Sequence, residues 1–268
     1  MAKIFIKNRV GLDVCVNVNE KENASNVVFI EHGITATKDH PYIQAMAEIF
    51  SAYNYTVVTF DATNSTGESG GATESLSFFT HYHDLEDVIA WSQNQSWFKM
   101  PFALCGHSLG GMASLRYTEV NPEHVNFLVP IAAATNGKNL KKAINQTMPI
   151  AMALWEKKQF FKKRSKLTNQ THLVPYSLVT SMDEGDVLPN IEAISCPTHL
   201  IVGEKDHQVL PRQMKHLLSK LKCEKSLQVL PKCPHSMYTK RDLKALGLAL
   251  SNVLEENPYT TIQQKLER

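Results

Sequence analysis

Phe102 to Gly111 reads FALCGHSLGG: four apolar residues, then Gly106, His107, Ser108, Leu109, Gly110 and Gly111. The next residues, GMASLRYTEVN (111–121), have helical spacing. A short apolar run that breaks at glycine and serine and then becomes helical describes a buried strand turning sharply into a helix. Gly106 and Gly110 permit that turn, expose Ser108, and let the helix pack closely on the strand. G-x-S-x-G is short enough to arise by chance. The order of elements around it and its distant partners therefore carry the reading.

Outward from this stretch, continuous apolar runs alternate with amphipathic ones. NVVFIEHG (26–33) is followed by PYIQAMAEIFSAYN (41–54), YTVVTFDA (55–62) by HYHDLEDVIAWSQNQ (81–95), and the helix after FALCGHS by VNFLVPIAAA (125–134). Short β-branched runs separated by helices imply parallel strands covered on both faces. Ahead of them, KIFIK (3–7) and LDVCVNV (12–18) alternate apolar and polar residues around Asn8 to Gly11, the pattern of a β-hairpin with one face buried. From about Ala134 to about Ser195 the chain is mostly helical in pattern with no strong strand. An excursion of that length suits a lid or binding role. The alternation then resumes: PTHLIVGEKD (197–206) reads as strand, LPRQMKHLLSKL (210–221) as helix, SLQVLPKC (226–233) as strand, and KRDLKALGLALSNVLEEN (240–257) as a closing helix. The expectation is one α/β domain over residues 1–268 with an insertion at about 134–195.

Bulk properties narrow the functional classes. A net charge of +2 lacks the basic surplus that nucleic-acid binding needs. Cys15, Cys105, Cys196, Cys223 and Cys233 are odd in number, with no C-x-x-C spacing, so neither a disulfide framework nor a zinc site is expected. A reducing, cytoplasmic location fits that usage. The N-terminal MAKIFIKNRVGLDV lacks the apolar block of a signal peptide, and no stretch reaches the roughly 18 continuous apolar residues of a membrane span.

In an open parallel sheet, ligands bind beyond the carboxyl ends of the strands. Four such ends carry chemistry: His32-Gly33-Ile34, Ser108, Asp206 and His235. A serine hydroxyl needs a base within hydrogen-bond reach, and histidine supplies one because its ordinary pKa lies near neutrality. A carboxylate on the far ring nitrogen fixes the tautomer. Asp206 is the preferred acid, with Glu204, Asp183 and Asp186 as competitors; Ala134-Thr135-Asn136, after the preceding strand, offers no carboxylate. The backbone N–H of Leu109, at a helix start, and that of Ile34, after a glycine, are the candidate donors to an oxyanion. His107 and His207 read as neighbours of the three residues, His32 as a brace for the Ile34 loop, and His81 and His83 as decoration at a helix start.

HGITATKDH (32–40), FDATNSTGESGG (60–71), GHSLGG (106–111), VGEKDHQV (202–209) and CPHSMY (233–238) occur in the order and elements of the α/β-hydrolase superfamily. Nearly the whole chain resembles its small-esterase, monoacylglycerol-lipase-like and S33 serine-aminopeptidase-like branch, and is similar to bacterial feruloyl and cinnamoyl esterases. The resemblance implies a mostly parallel eight-stranded sheet with helices on both faces and a helical lid. It implies Ser108 as nucleophile, His235 as base, Asp206 as orienting acid, and the Ile34 and Leu109 amides as oxyanion hole. Hydrolysis of small carboxylic esters with a short to medium or aromatic acyl group would follow, without metal or organic cofactor. Alternatives are aminopeptidase or amidase chemistry, acyl transfer, carbon–carbon cleavage, or ligand binding without catalysis. The partner expected is a small ester, with monomer and homodimer both open. Where many relatives read D-x-R-G-H-G-x-S, this chain has DATNSTGES (61–69), which bears on substrate rather than on catalysis. Met148, Met152 and Trp155 are candidates for an acyl-binding wall. The basic run EKKQFFKKRSK (156–166) reads either as a surface for anionic substrates or a membrane interface, or as a solvated helix face whose Phe160 and Phe161 pack on the core.

Overall fold

Asn8 closes the N-terminal hairpin by accepting hydrogen bonds from the backbone N–H groups of Val10 and Leu12 at 3.2 and 2.9 Å, while Gly11 takes a left-handed φ of +82°. Strands β1 (Ala2–Lys7) and β2 (Asp13–Asn19) therefore pair antiparallel, from Ala2 opposite Val18 to Lys7 opposite Asp13. A computed structural model describes residues 2–256 other than 166 and 168. Lys166 of the basic run and Asn257 of the closing helix lie outside the described residues.

The continuous apolar runs become β3 (Asn26–Glu31), β4 (Tyr55–Asp61), β5 (Phe102–His107) and β6 (Val125–Ile131), each buried along its length. Between and after them lie α1 (Pro41–Ala52), α2 (Phe78–Ser92) and α3 (Leu109–Val120). Helix α2 starts earlier than its apolar periodicity suggests, because Ser77 and Thr80 form a reciprocal capping box. After the insertion come β9 (Thr198–Gly203), α7 (Pro211–Lys220), β10 (Lys225–Leu230) and α8 (Lys240–Glu256). The sheet order is β1-β2-β4-β3-β5-β6-β9-β10; β2 is antiparallel to β4 and the six strands from β4 to β10 run parallel.

Alternation along β5 shows how both faces are covered. Phe102 and Leu104 join the core beneath α2 and α3, with Val88 and Met112, while Ala103 and Cys105 join the core beneath α1 and α8, with Met46 and Leu250. This is the eight-stranded, mostly parallel α/β-hydrolase fold expected, with its strand ends on one edge.

The segment between β6 and β9 differs from the helical expectation. It contains α4 (Gly137–Thr147), α5 (Pro149–Lys158) and α6 (Ser177–Glu184), but also an antiparallel hairpin of β7 (Phe160–Arg164) and β8 (Thr171–Pro175). Gln159, in the left-handed region at φ +62°, ends α5 and turns the chain straight into β7. Trp155 Nε1 donates to the Val174 carbonyl at 3.0 Å and ties α5 to the hairpin. The basic run thus passes from the end of α5 into β7, and Phe160 and Phe161 are exposed rather than packed in the core. Among the described residues, no helix is long and apolar enough to cross a membrane.

Candidate active site

Ser108 sits between β5 and α3 with φ +57° and ψ −111°, a conformation costly for a residue with a Cβ. The surroundings hold it there. Its N–H donates to Ile131 O at 2.9 Å, and its carbonyl accepts from Met112 N and Ala134 N at 3.1 Å each. Helix α3 can leave this close to the sheet only because residue 110 is glycine: a Cβ there would lie 2.5 Å from the carbonyl oxygens of Glu31 and His32.

The loops after β9 and β10 bring two more side chains to the same place. Asp206 Oδ1 accepts from the backbone N–H groups of Gln208 and Val209, both at 2.8 Å, which aims Oδ2 at His235 Nδ1, also at 2.8 Å. His235 Nε2 lies 3.0 Å from Ser108 Oγ. Burial pushes the Asp206 carboxyl up, but His235 and the two amides outweigh it and hold the group below its ordinary value. An ionised Asp206 places the ring proton on Nδ1 and leaves Nε2 to accept from the serine hydroxyl. The competing acids point elsewhere: Glu204 accepts from Lys232 N, Asp183 from Lys138 N, and Asp186 from Leu188 N.

His107 supports this chain from behind. Its Nε2 donates to the His235 carbonyl at 3.0 Å, and burial, followed by the proximity of His235, lowers it to about 3, so it stays neutral. His207, by contrast, is exposed. His32 Nδ1 donates to Gly33 O at 2.8 Å and its Nε2 accepts from Ala62 N at 3.0 Å, which fixes the loop carrying Ile34. A turn closed by Ala36 N to Gly33 O presents the Ile34 amide. Neither the Ile34 nor the Leu109 N–H has a protein acceptor among the described residues.

Two polar clusters close to the site were not foreseen as such. Lys38 is completely buried, with its ammonium 3.0 Å from Asp61 and 2.7 Å from Glu68. Cys15, Asp61 and Glu68 could together offer ligands to a cation, but the Lys38 ammonium already contacts both carboxylates and supplies the positive charge there. His81 does not decorate a helix surface: it is buried with Nδ1 3.0 Å from Glu31 Oε1, and burial raises the carboxyl and lowers the imidazole, so both favour their neutral forms. The available signal was Glu31 itself, an acid directly after the apolar run Val27 to Ile30 in a fully buried strand.

A cavity of about 80 Å³ opens on Ser108 and His235, walled by Gly33, Tyr42, Tyr238 and the hairpin residues Lys163 to Ser165. A second, apolar cavity of about 290 Å³ is lined by Leu140, Met148, Met152, Trp155 and Phe161. Ile34, Lys163, Arg164 and Gln208 border both.

The profile of the family described as Serine aminopeptidase, S33, matches residues 22–177. A sequence search of curated proteins finds no significant match. Among solved structures, the chain is similar to Est1E from Butyrivibrio proteoclasticus bound to ferulic acid, at 16% identity over 95% of this chain and 98% of that one, with a TM-score of 0.76. Mouse alpha/beta hydrolase domain-containing protein 10 aligns at 17% identity over 96% of this chain and 99% of that one, with a TM-score of 0.74. GrgF, an alpha/beta hydrolase from Penicillium sp. sh18, aligns at 14% identity over 96% and 98%, with a TM-score of 0.76. At these identities the structural likeness establishes the fold. The family match, spanning more than half of the chain, goes further: this protein is an α/β hydrolase and belongs to the serine aminopeptidase S33 family.

Proposed function

We propose that the chain is a serine hydrolase that cleaves small carboxylic esters through an acyl-enzyme on Ser108. The observation that carries this reading is the unbroken hydrogen-bond chain from Asp206 through His235 to Ser108. Ser108 Oγ attacks the ester carbonyl as His235 Nε2 takes its proton. His235 then protonates the leaving alcohol, and afterwards activates the water that releases the acid. Asp206 holds the ring and stabilises the imidazolium without taking the proton. The unpaired Ile34 and Leu109 amides bind the oxyanion, each donor worth roughly 10²–10³ in rate.

An ester rather than a peptide N-terminus is favoured despite the family's description. Among the described residues, neither cavity is lined by an aspartate or glutamate, so neither offers a counter-charge for a substrate α-ammonium. Met148, Met152 and Trp155 form the wall of an acyl chamber roofed by the insertion at about 134–195, which acts as a lid on a single domain. Its size suits a short to medium chain or an aromatic group such as the ferulic acid bound to Est1E. Five free thiols suit a reducing, cytoplasmic location.

Labelling by a fluorophosphonate probe tests the nucleophile: wild type should be labelled and Ser108→Ala should not, with the fold retained in both. A folded wild type that stays unlabelled sinks the assignment. A p-nitrophenyl ester series from acetate to decanoate, with methyl ferulate and an aminoacyl anilide, tests the substrate class, and preference for the anilide would reverse it.

A further inference from the structure

The hairpin strand β7 lies along the boundary between the two cavities and brings only positive charge to it. Lys163 and Arg164 line both the Ser108 cavity and the apolar chamber, and Lys162 lines the chamber. No aspartate or glutamate lines either space among the described residues. Asp206, the nearest acid in the mechanism, faces His235 and two backbone amides and is buried behind the ring. Arg164 forms no ion pair with a carboxylate among the described residues; its Nε donates to the Asn169 carbonyl at 3.3 Å, which leaves the rest of the guanidinium fork available to a ligand. Lys163 lines the Ser108 cavity together with Tyr42 and Tyr238.

An apolar chamber with cations at its inner mouth and no anion in its lining is complementary to an amphiphile with one negative end. We propose that Lys163 and Arg164 form an anion-recognition subsite, and that the substrate is an ester bearing a carboxylate or comparable anionic group next to an apolar chain that fills the chamber. This rests on Ser108 being the nucleophile for the identity of the reaction, but the subsite itself is a statement about binding. The apolar part takes its energy from burial against Met148, Met152 and Trp155; the anion sets orientation and selectivity. A neutral ester of the same length fills the chamber but offers no charge to the Arg164 guanidinium.

Matched ester pairs read the selectivity as a ratio of kcat/KM. Mono(4-nitrophenyl) glutarate against 4-nitrophenyl pentanoate places the anion on the acyl side. 3-Carboxy-4-nitrophenyl butyrate against 4-nitrophenyl butyrate places it on the leaving group. Wild type should favour the charged member of at least one pair by about fivefold or more, as expected for a partly exposed ion pair. The favoured pair identifies the side. In Lys163→Gln/Arg164→Gln that ratio should fall to about one, and in wild type it should shrink as salt is raised. Ratios at or below one in both pairs, or a preference unchanged in the double variant, overturn the proposal. Titration of octanoate and octanamide into folded Ser108→Ala gives a readout independent of turnover: octanoate should bind more tightly, and adding Arg164→Gln should remove the difference. If no ester is cleaved and no probe labels Ser108, the nucleophile assignment fails, while the titration still decides the anion subsite. Equal binding of the acid and the amide refutes it.

Discussion

Lys38 Nζ lies 3.0 Å from Asp61 Oδ2, and solvent reaches neither side chain. The same two residues meet a second time, through Lys38 N donating to Asp61 Oδ1 at 2.7 Å, while Glu68 N donates to Oδ2 at 2.9 Å. Asp61 ends β4 and Lys38 follows the turn that presents Ile34, so this pair staples two loops at the edge where Ser108 emerges. Removing one partner of a buried pair leaves an uncompensated charge, at a cost of about 3–5 kcal/mol. Lys38→Met should lose stability in that range in urea unfolding. A loss under about 1 kcal/mol would mean that the pair does not hold the loops together.

Acid should weaken the same cluster. Hydrogen bonds from Lys3 and then Lys38 lower the Glu68 carboxyl to about 2 from an ordinary value of 4.5. A carboxyl depressed in the folded state contributes stability that is fully present above its unfolded value and is lost as pH falls toward the folded one. Stability should therefore decline between about pH 4.5 and pH 2, with Asp206, also depressed, adding to the slope in the same direction. Glu68 is nearly half exposed, so salt should flatten part of the effect. Urea midpoints across this window should fall less steeply in Glu68→Gln than in wild type; parallel curves would remove Glu68 from the account.

The features legible in the sequence are those with a local or periodic signature. Strands β3 to β6 are buried on both faces, so their apolar runs are continuous, and Ser108 announces itself because the turn holding it needs small neighbours. The hairpin of β7 and β8 was hidden for the opposite reason: FFKKR is exposed nearly throughout, so neither a period of two nor of 3.6 appears. Lys38 and His81 are residue types that ordinarily face water. Their burial depends on partners 23 to 50 positions away, on other loops and strands, which no local pattern encodes. His107 falls between these cases: its place beside Ser108 was evident, its bond to the His235 carbonyl was not.

Asp206→Asn should cost a modest part of the stability that the ionised carboxyl supplies and be severe in rate. Gln208 N and Val209 N both donate to Oδ1, so an asparagine must keep its carbonyl oxygen there and turn its NH₂ toward His235 Nδ1. Nδ1 then has to accept, the ring proton moves to Nε2, and the nitrogen facing Ser108 Oγ becomes a donor that cannot take the serine proton. The loss in kcat at neutral pH should be about 10⁴-fold, the scale set by the same tautomer change in a serine protease. A p-nitrophenyl butyrate assay beside a thermal melt separates the two effects. A fall of less than about tenfold would assign the orienting role to another group.

Chain-length preference should respond to the far wall of the apolar cavity without any change at Ser108. Met148 lines that cavity but not the one at Ser108, and it is 49% exposed, so a larger side chain can be accepted there without overpacking the core. Met148→Trp should fill part of the 290 Å³ and exclude the end of a long acyl chain while leaving room for a short one. Each methylene kept out of an apolar site forfeits about 0.8 kcal/mol, so denying two of them costs about tenfold in kcat/KM. The ratio of decanoate to butyrate p-nitrophenyl ester hydrolysis should drop by about that factor. If both esters lose rate equally, the tryptophan has disturbed the loops around Ser108; if neither does, acyl chains bind elsewhere and the chamber serves the alcohol side.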